Sequence, residues 1–439
     1  MFAGLDRKQK EAVGLLSIGT FLEYFDLMLY VHMAVLLNVL FFPETDPFTA
    51  SLISAFAFCS TYLFRPFGAL IFGYIGDRIG RKPVVILTTM MMAVSCAVIG
   101  CLPTYAQIGL TASWIITICR AFQGMAATAE ARGAEIYISE SVKPPLQYPL
   151  VALITAFSGL GTTLALGIAA IFTNVHVFNN EFSWRIAFLV GAGVAVIGTV
   201  ARTSLKEADE FAHKKAQLQQ QLKNNKVTWK KWHNDIISQE KSPILISVAY
   251  FLTQCARPPC FYFIYIYCAD LLKHKCGMLP HEIISQNFIV SLVDLFGLGV
   301  LCYLSYRINP LKILKAKLFL FFSIIIFFPV VLNNYTNPTS IFVFQCLAAL
   351  FVFDHIPATP IFYRYFPIFK RFTYTSVLSA VAKLLTYFIT SFGLVYANEY
   401  FGYSGMFLIF IPVGIAFYYS VQYFQKLESK RKEHFHSGS

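Results

Sequence analysis

Apolar positions run along this chain in long unbroken blocks, without the alternation of a half-buried strand or the narrow stripe of a surface helix. The blocks lie near 12–39, 49–74, 83–102, 108–132, 149–173, 184–203, 244–271, 284–306, 312–333, 339–361, 372–396 and 403–424. Each reaches the roughly 20 residues that a helix needs to cross the hydrocarbon core of a bilayer. The pattern therefore predicts an all-α polytopic membrane protein with twelve transmembrane helices. The longest polar interruption, residues 204–243, separates six blocks from six. It predicts an N-terminal six-helix bundle over 1–203, a cytoplasmic linker over 204–243, a C-terminal bundle over 244–424 and a cytoplasmic tail over 425–439.

The turns between blocks carry charge on alternate sides. Arg7, Lys8 and Lys10 precede the first block, and Arg78, Arg81 and Lys82 follow the second. Eight lysines lie between Ser204 and Pro243, and Arg307, Lys312, Lys315 and Lys317 follow block eight. On the other side, one turn carries Glu44 and Asp46 and the next, near Pro103–Gln107, no charge, while Lys273, His274 and Lys275 are the exception. By the positive-inside rule both termini are cytoplasmic. The chain is 57% hydrophobic and 13% charged over 439 residues, which excludes an ordinary soluble domain. Its net charge of +12 is spent on topology, and no aromatic-basic surface accompanies it, so nucleic-acid binding is not expected. The first block is too long for a cleavable signal peptide and contains Glu23 and Asp26. The ten cysteines form no CxxC pair and no metal spacing, and most read as small apolar fillers. Cys268 and Cys276 flank an outer turn, which leaves a disulfide open.

A charge at mid-bilayer costs roughly 2.5–3.5 kcal/mol, so each one inside a block is a functional candidate. Glu23 and Asp26 lie in block one, Arg65 in block two and Arg120 in block four. Arg257, Asp294, Asp354 with His355, and Lys383 lie in blocks seven, eight, ten and eleven. Glu23 and Asp26 are about 4.5 Å apart along one helical face. Two acids that close cannot both be comfortably ionised, so one can carry a proton near neutral pH, within reach of Arg65 or Arg120. The four cations Arg65, Arg120, Arg257 and Lys383 argue for a cavity that welcomes a carboxylate. Tyr262, Tyr265 and Tyr267 can add hydrogen bonds or a cation–π contact. The competing reading is that these charges only neutralise one another.

Residues 73 to 82, Gly-Tyr-Ile-Gly-Asp77-Arg78-Ile-Gly-Arg81-Lys82, make a tight basic turn between blocks two and three. This resembles the G-x-x-x-D-R-x-G-R-[KR] loop of the major facilitator superfamily of transporters. Further stretches resemble the metabolite:proton symporter branch of that superfamily. They are Gly19-Thr20 to Asp26, Arg65-Pro66-Phe-Gly68, Arg120-x-x-Gln123-Gly124 with Glu130, Gly133-Ala134, Tyr137 and Glu140, Trp184-Arg185, and Phe366-Pro367 with Arg371. The resemblance implies two six-helix bundles and alternating access. It also implies proton coupling at Glu23, Asp26, Arg65 and Glu130, and gating at Asp77, Arg78, Arg81 and Arg132. Asp77 and Arg78 are expected to lock their half by pairing with helix ends. Arg132 and Lys383 depart from the family pattern. A shift of 229 residues lays Phe67-Gly68 on Phe296-Gly297 and Arg78 on Arg307, but sets Tyr306 against Asp77. This worn second loop should hold its half less firmly.

The expected function is secondary active transport, with proton-coupled symport of a small organic acid, amino acid or betaine-like zwitterion. Arg120, Arg257, Tyr262, Asp294, Asp354 and Lys383 are the expected substrate contacts, with blocks one, four, seven and ten facing the cavity. A proton-independent facilitator or an anion or nucleotide exchanger stays open, as does a transporter-like sensor that moves nothing. The sequence offers no phosphate-cradling loop, no metal cluster and no catalytic triad pattern, so no enzyme, cofactor or metal is expected. The expected partners are the solute, protons and the bilayer around a monomer, in a bacterial inner membrane.

Overall fold

A computed structural model describes residues 5–41, 62–173, 183–203, 244–334 and 337–437, and every regular element among them is helical. In the first half these are α1 (Arg7–Phe41), α2 (Arg65–Arg78), α3 (Arg81–Cys101), α4 (Leu110–Ser141), α5 (Gln147–Thr173) and α6 (Ser183–Thr203). The seventh rod is broken into α7 (Ile244–Gln254), α8 (Arg257–Tyr262), a π turn (Phe263–Tyr267) and α9 (Cys268–His274). Next come α10 (Pro280–Arg307), then α11 (Pro310–Ile325) with α12 (Phe328–Asn334), then α13 (Pro338–Leu350) with α14 (Thr359–Tyr363). Finally α15 spans Arg371–Phe401 and α16 spans Phe407–Ser437. Grouped in this way the described helices make the twelve rods that the apolar blocks predict. Among the described residues, six stretches are long and apolar enough to cross a bilayer by length and composition alone.

Local chemistry explains where these rods begin and turn. Asn309 and Asn337 cap α11 and α13, accepting from the amides of Leu311 at 2.9 Å and Ser340 at 2.7 Å. Each is followed by a proline in the first turn, where the missing N–H is not needed. Gly80 takes a φ of 141°, which lets α2 turn into α3 within two residues.

Three rods differ from their predicted form. The fourth block ends near 132, but α4 runs on to Ser141 and carries Glu135 and Glu140 beyond it. The seventh breaks at Cys255 and Ala256, ahead of Pro258 and Pro259, where the prolines cannot complete the helical hydrogen bonds. The tenth is interrupted over 351–358, so Asp354 and His355 lie on irregular backbone and not in mid-helix. Non-helical backbone survives at membrane depth only when buried in protein, and Asp354 and His355 are 1% and 2% exposed.

The N-terminal half packs around Phe25, Leu29, Met92, Ile116 and Phe188. The C-terminal half packs around a richer aromatic core that includes Phe263, Phe321, Phe328, Phe353 and Phe410. Phe296 and Tyr303 on α10 point outward at 69% and 64% exposure, as lipid-facing side chains should. α5 bridges the halves, packing along α1 on one side and α10 on the other. Gly161 permits the first approach, since a Cβ there would strike the carbonyl of Phe21. A Cβ at Gly159 or Gly167 would lie 2.8 Å from Leu298 or 3.1 Å from Phe288 on α10. On the opposite side of the interface α2 packs against α15.

Candidate functional site

Three sets of cross-bundle polar contacts close the cytoplasmic side. In the first, Asp77 at the end of α2 reaches the first turn of α15. It accepts from the amides of Phe372 at 3.2 Å and Thr373 at 2.9 Å, and from the Thr373 hydroxyl at 2.7 Å. A carboxylate on a helix N-terminus satisfies orphan amides and meets the positive end of the helix dipole. Through Asp77 the signature loop thus reaches the opposite half. Arg78 does not reach a helix end as expected, since its guanidinium lies 4.1 Å over the Tyr74 ring. The basic partner of a helix end is Lys82, which donates to the carbonyl of Thr203 at 2.7 Å, where α6 finishes. The side chain of Arg81 lies outside the described residues.

The second contact set joins α4 to α14. Arg132 donates to Glu135 at 2.8 Å and to the Tyr363 hydroxyl at 3.0 Å, and Tyr363 donates to the same Glu135 oxygen at 2.6 Å. His355 Nε2 lies 3.5 Å from Arg132. The third set is an ion pair of 3.0 Å from Arg371 at the head of α15 to Glu140 at the end of α4. Sequence reasoning missed Glu135 and Tyr363. The available signal was the three-residue spacing of Arg132 and Glu135, which makes them neighbours on one helical face.

Gly73 sits where α2 and α15 touch, and a Cβ there would lie 2.9 Å from the Thr373 Cα. Gly73→Leu is therefore expected to wedge the cytoplasmic side open. Modification of a cysteine placed on the cytoplasmic half of α15 should rise at least several-fold, and an unchanged rate would show that the helices part without cost.

Behind this closure lies a charged interior. Asp354 accepts from Arg257 at 2.9 Å and from Lys317 at 3.1 Å, so two cations share one acid. Asp294, half-buried on α10, adds a second negative field at Arg257. The charge pattern puts Lys317 among the topology charges of the turn after block eight. It stands instead two turns inside α11 with its side chain 14% exposed. Arg120 bonds with Gln123 at 3.4 Å, and Gln123 reaches Cys96 of α3 at 3.3 Å, which sets Arg120 inside the N-terminal bundle. Of the four residues expected to face the cavity, Arg257 and Asp354 meet in an ion pair, while Arg120 is 2% exposed.

Glu23 is 3% exposed on α1, and the adjacent Tyr24 lies in the fields of Glu23, Arg65, Arg257 and Arg132. The side chains of Asp26 and Glu130 lie outside the described residues. Tyr262 is partly buried against the C-terminal core, and Tyr265 is buried with no hydrogen-bond partner on its hydroxyl. Tyr62, three residues ahead of α2, meets Tyr387 of α15 with ring centres 4.1 Å apart. Arg65 lies 4.3 Å over the Tyr62 ring. Ser376, Ser379, Lys383, Tyr387 and Thr390 follow one another at helical spacing along a single face of α15. Cys268 and Cys276 are both free thiols.

Interrupted rods, a bilayer-length helical frame and a polar closure between two halves define a multi-pass membrane protein of the two-bundle transporter fold. The chain belongs to the Major Facilitator Superfamily, whose family model matches residues 16–279. It is 30% identical over 218 residues to the proline/betaine transporter of Salmonella typhimurium, covering 49% of this chain and 43% of that one. It is 33% identical over 211 residues to the shikimate transporter of Escherichia coli K12, covering 47% of this chain and 48% of that one. The aligned part thus spans less than half the length of either relative. Among solved structures, the proton:xylose symporter XylE bound to 6-bromo-6-deoxy-D-glucose superposes with a TM-score of 0.76 at 14% identity, over 95% of both chains.

Proposed function

We propose that the chain is a secondary active transporter that couples inward proton movement to uptake of a small organic solute across a bacterial inner membrane. The observation that carries this reading is the polar closure between the bundles. Hydrogen bonds and ion pairs at an interface can be exchanged for water when the gate opens, so the open and closed states stay close in energy. An apolar seal of the same extent would expose a large greasy surface on opening. The gate guards a charged interior that holds Glu23, and the sequence sets a second acid, Asp26, three residues further along the same helix. Relatives named for proline, betaine and shikimate transport, and a fold neighbour named as a proton symporter, support the same reading.

Uptake into proteoliposomes under an imposed inward proton gradient tests it. The wild type is expected to accumulate one solute of a labelled panel and to lose that accumulation with protonophore. Asp26→Asn is expected to abolish accumulation while exchange persists in part. Full accumulation in this variant would remove Asp26 from the coupling site. Equilibration without accumulation in the wild type would favour a facilitator.

A further inference from the structure

We propose that the carried solute is a small organic anion whose carboxylate is held between Arg65 of the N-terminal bundle and Lys383 of the C-terminal bundle. The inference rests on the transport reading above and narrows it from organic solutes in general to those with net negative charge.

The interior cations differ in how they are satisfied. Arg257 and Lys317 share Asp354, and Arg132 is held by Glu135. Lys383 makes no hydrogen bond or ion pair among the described residues. The charges acting most strongly on it are Arg132, Arg65, Glu135 and Arg257. Three of those four are cations, and the one acid already belongs to Arg132 and Tyr363. Arg65 is 6% exposed, and its Nε has no hydrogen-bond partner. Its recorded contact is the Tyr62 ring. A fold that keeps two like charges close together at membrane depth, where each is costly, needs an anion to visit them.

Position agrees with charge. Arg65 lies over Tyr62, and Lys383 stands one turn before Tyr387, the ring against which Tyr62 packs. The two cations thus flank a contact between the bundles. Phe261 meets Tyr387 edge-on at 6.3 Å, so the neighbourhood offers aromatic walls for the apolar body of a solute. One turn before Lys383, Ser379 bonds Gln254, whose Nε2 has no partner and remains available as a donor. A carboxylate here would neutralise both cations and draw the bundles together, which is what a transported ligand must do to drive closure. A solute with its own ammonium group would bring a third positive charge to the same place.

The test separates binding from transport. Purified wild-type protein is titrated with 2-oxoglutarate and shikimate as anions, and with proline and glycine betaine as net-neutral solutes. Thermal stabilisation is the binding readout, and uptake into proteoliposomes is measured in parallel. At least one anion is expected to stabilise the wild type, with no effect from the neutral pair. Lys383→Gln should weaken anion binding tenfold or more, and Lys383→Arg should restore much of it. Because Lys383 has no partner among the described residues, Lys383→Gln should fold with a melting temperature at or above that of wild type. Absence of stabilisation by both anions would overturn the proposal. So would anion binding unchanged in both Lys383→Gln and Arg65→Gln, or binding of betaine that ignores Lys383→Gln. Anion binding without any uptake would keep the anion site and remove the transport reading.

Discussion

Asp354→Ala is expected to destabilise the folded protein by about 3–5 kcal/mol, the cost of leaving a buried charge without its partner. Asp354 is 1% exposed and takes hydrogen bonds from Arg257 and Lys317, and its Oδ1 also accepts from the amide of Ile356 at 3.3 Å. Removing it leaves two cations facing each other and frees the irregular backbone between α13 and α14. The expected result is a sharp fall in melting temperature in detergent and poor recovery of monodisperse protein. Asp354→Ala combined with Arg257→Met and Lys317→Met should recover much of the loss, because the uncompensated charges are then absent. A melting temperature unchanged in the single variant would show that the two cations find other partners.

Asp77→Asn is the second large effect. Hydrogen bonds to a charged acceptor are worth about 1.5–3 kcal/mol each, and Asp77 accepts three at the head of α15. An asparagine side chain keeps one oxygen but loses the charge and its attraction for the helix N-terminus. A loss of about 2 kcal/mol corresponds to roughly a 30-fold shift of the gate toward its cytoplasm-open state. Labelling of a cysteine inside the cytoplasmic mouth should rise accordingly. Net transport should slow severely, because the return to the closed state becomes limiting. Wild-type labelling together with wild-type rates would reduce the loop to a topology signal.

The blocks of apolar residues gave the order of the rods because hydrocarbon thickness imposes one length on all of them. The signature loop was equally legible, since its chemistry is local. What was hidden depends on which helices meet. Asp77 was recognisable as a lock, but only the packing of α2 on α15 shows that the amides of Phe372 and Thr373 are its target. Lys317 read as a turn residue because charge sidedness does not reveal how deep a lysine stands. Glu135 gained its role from Tyr363, more than two hundred positions away, and no spacing within α4 encodes that contact. The break at Asp354 follows from a buried ion cluster that periodicity does not register.

The worn copy of the signature loop has a mechanical consequence. Tyr306, Arg307, Asn309, Pro310 and Lys312 line a cavity of about 360 Å³ with Pro145 and Tyr148 at the start of α5. On the other side of the interface, the corresponding position holds Asp77 and its three bonds. The two edges of the cytoplasmic mouth are therefore built for different tasks. Along α5 and α10 the bundles touch through glycines and have empty space at the rim, as a hinge requires. Along α2 and α15 they are bolted. The mouth would swing open as a door hung on one edge and not widen as an iris, and the bolt at Asp77 would set its pace.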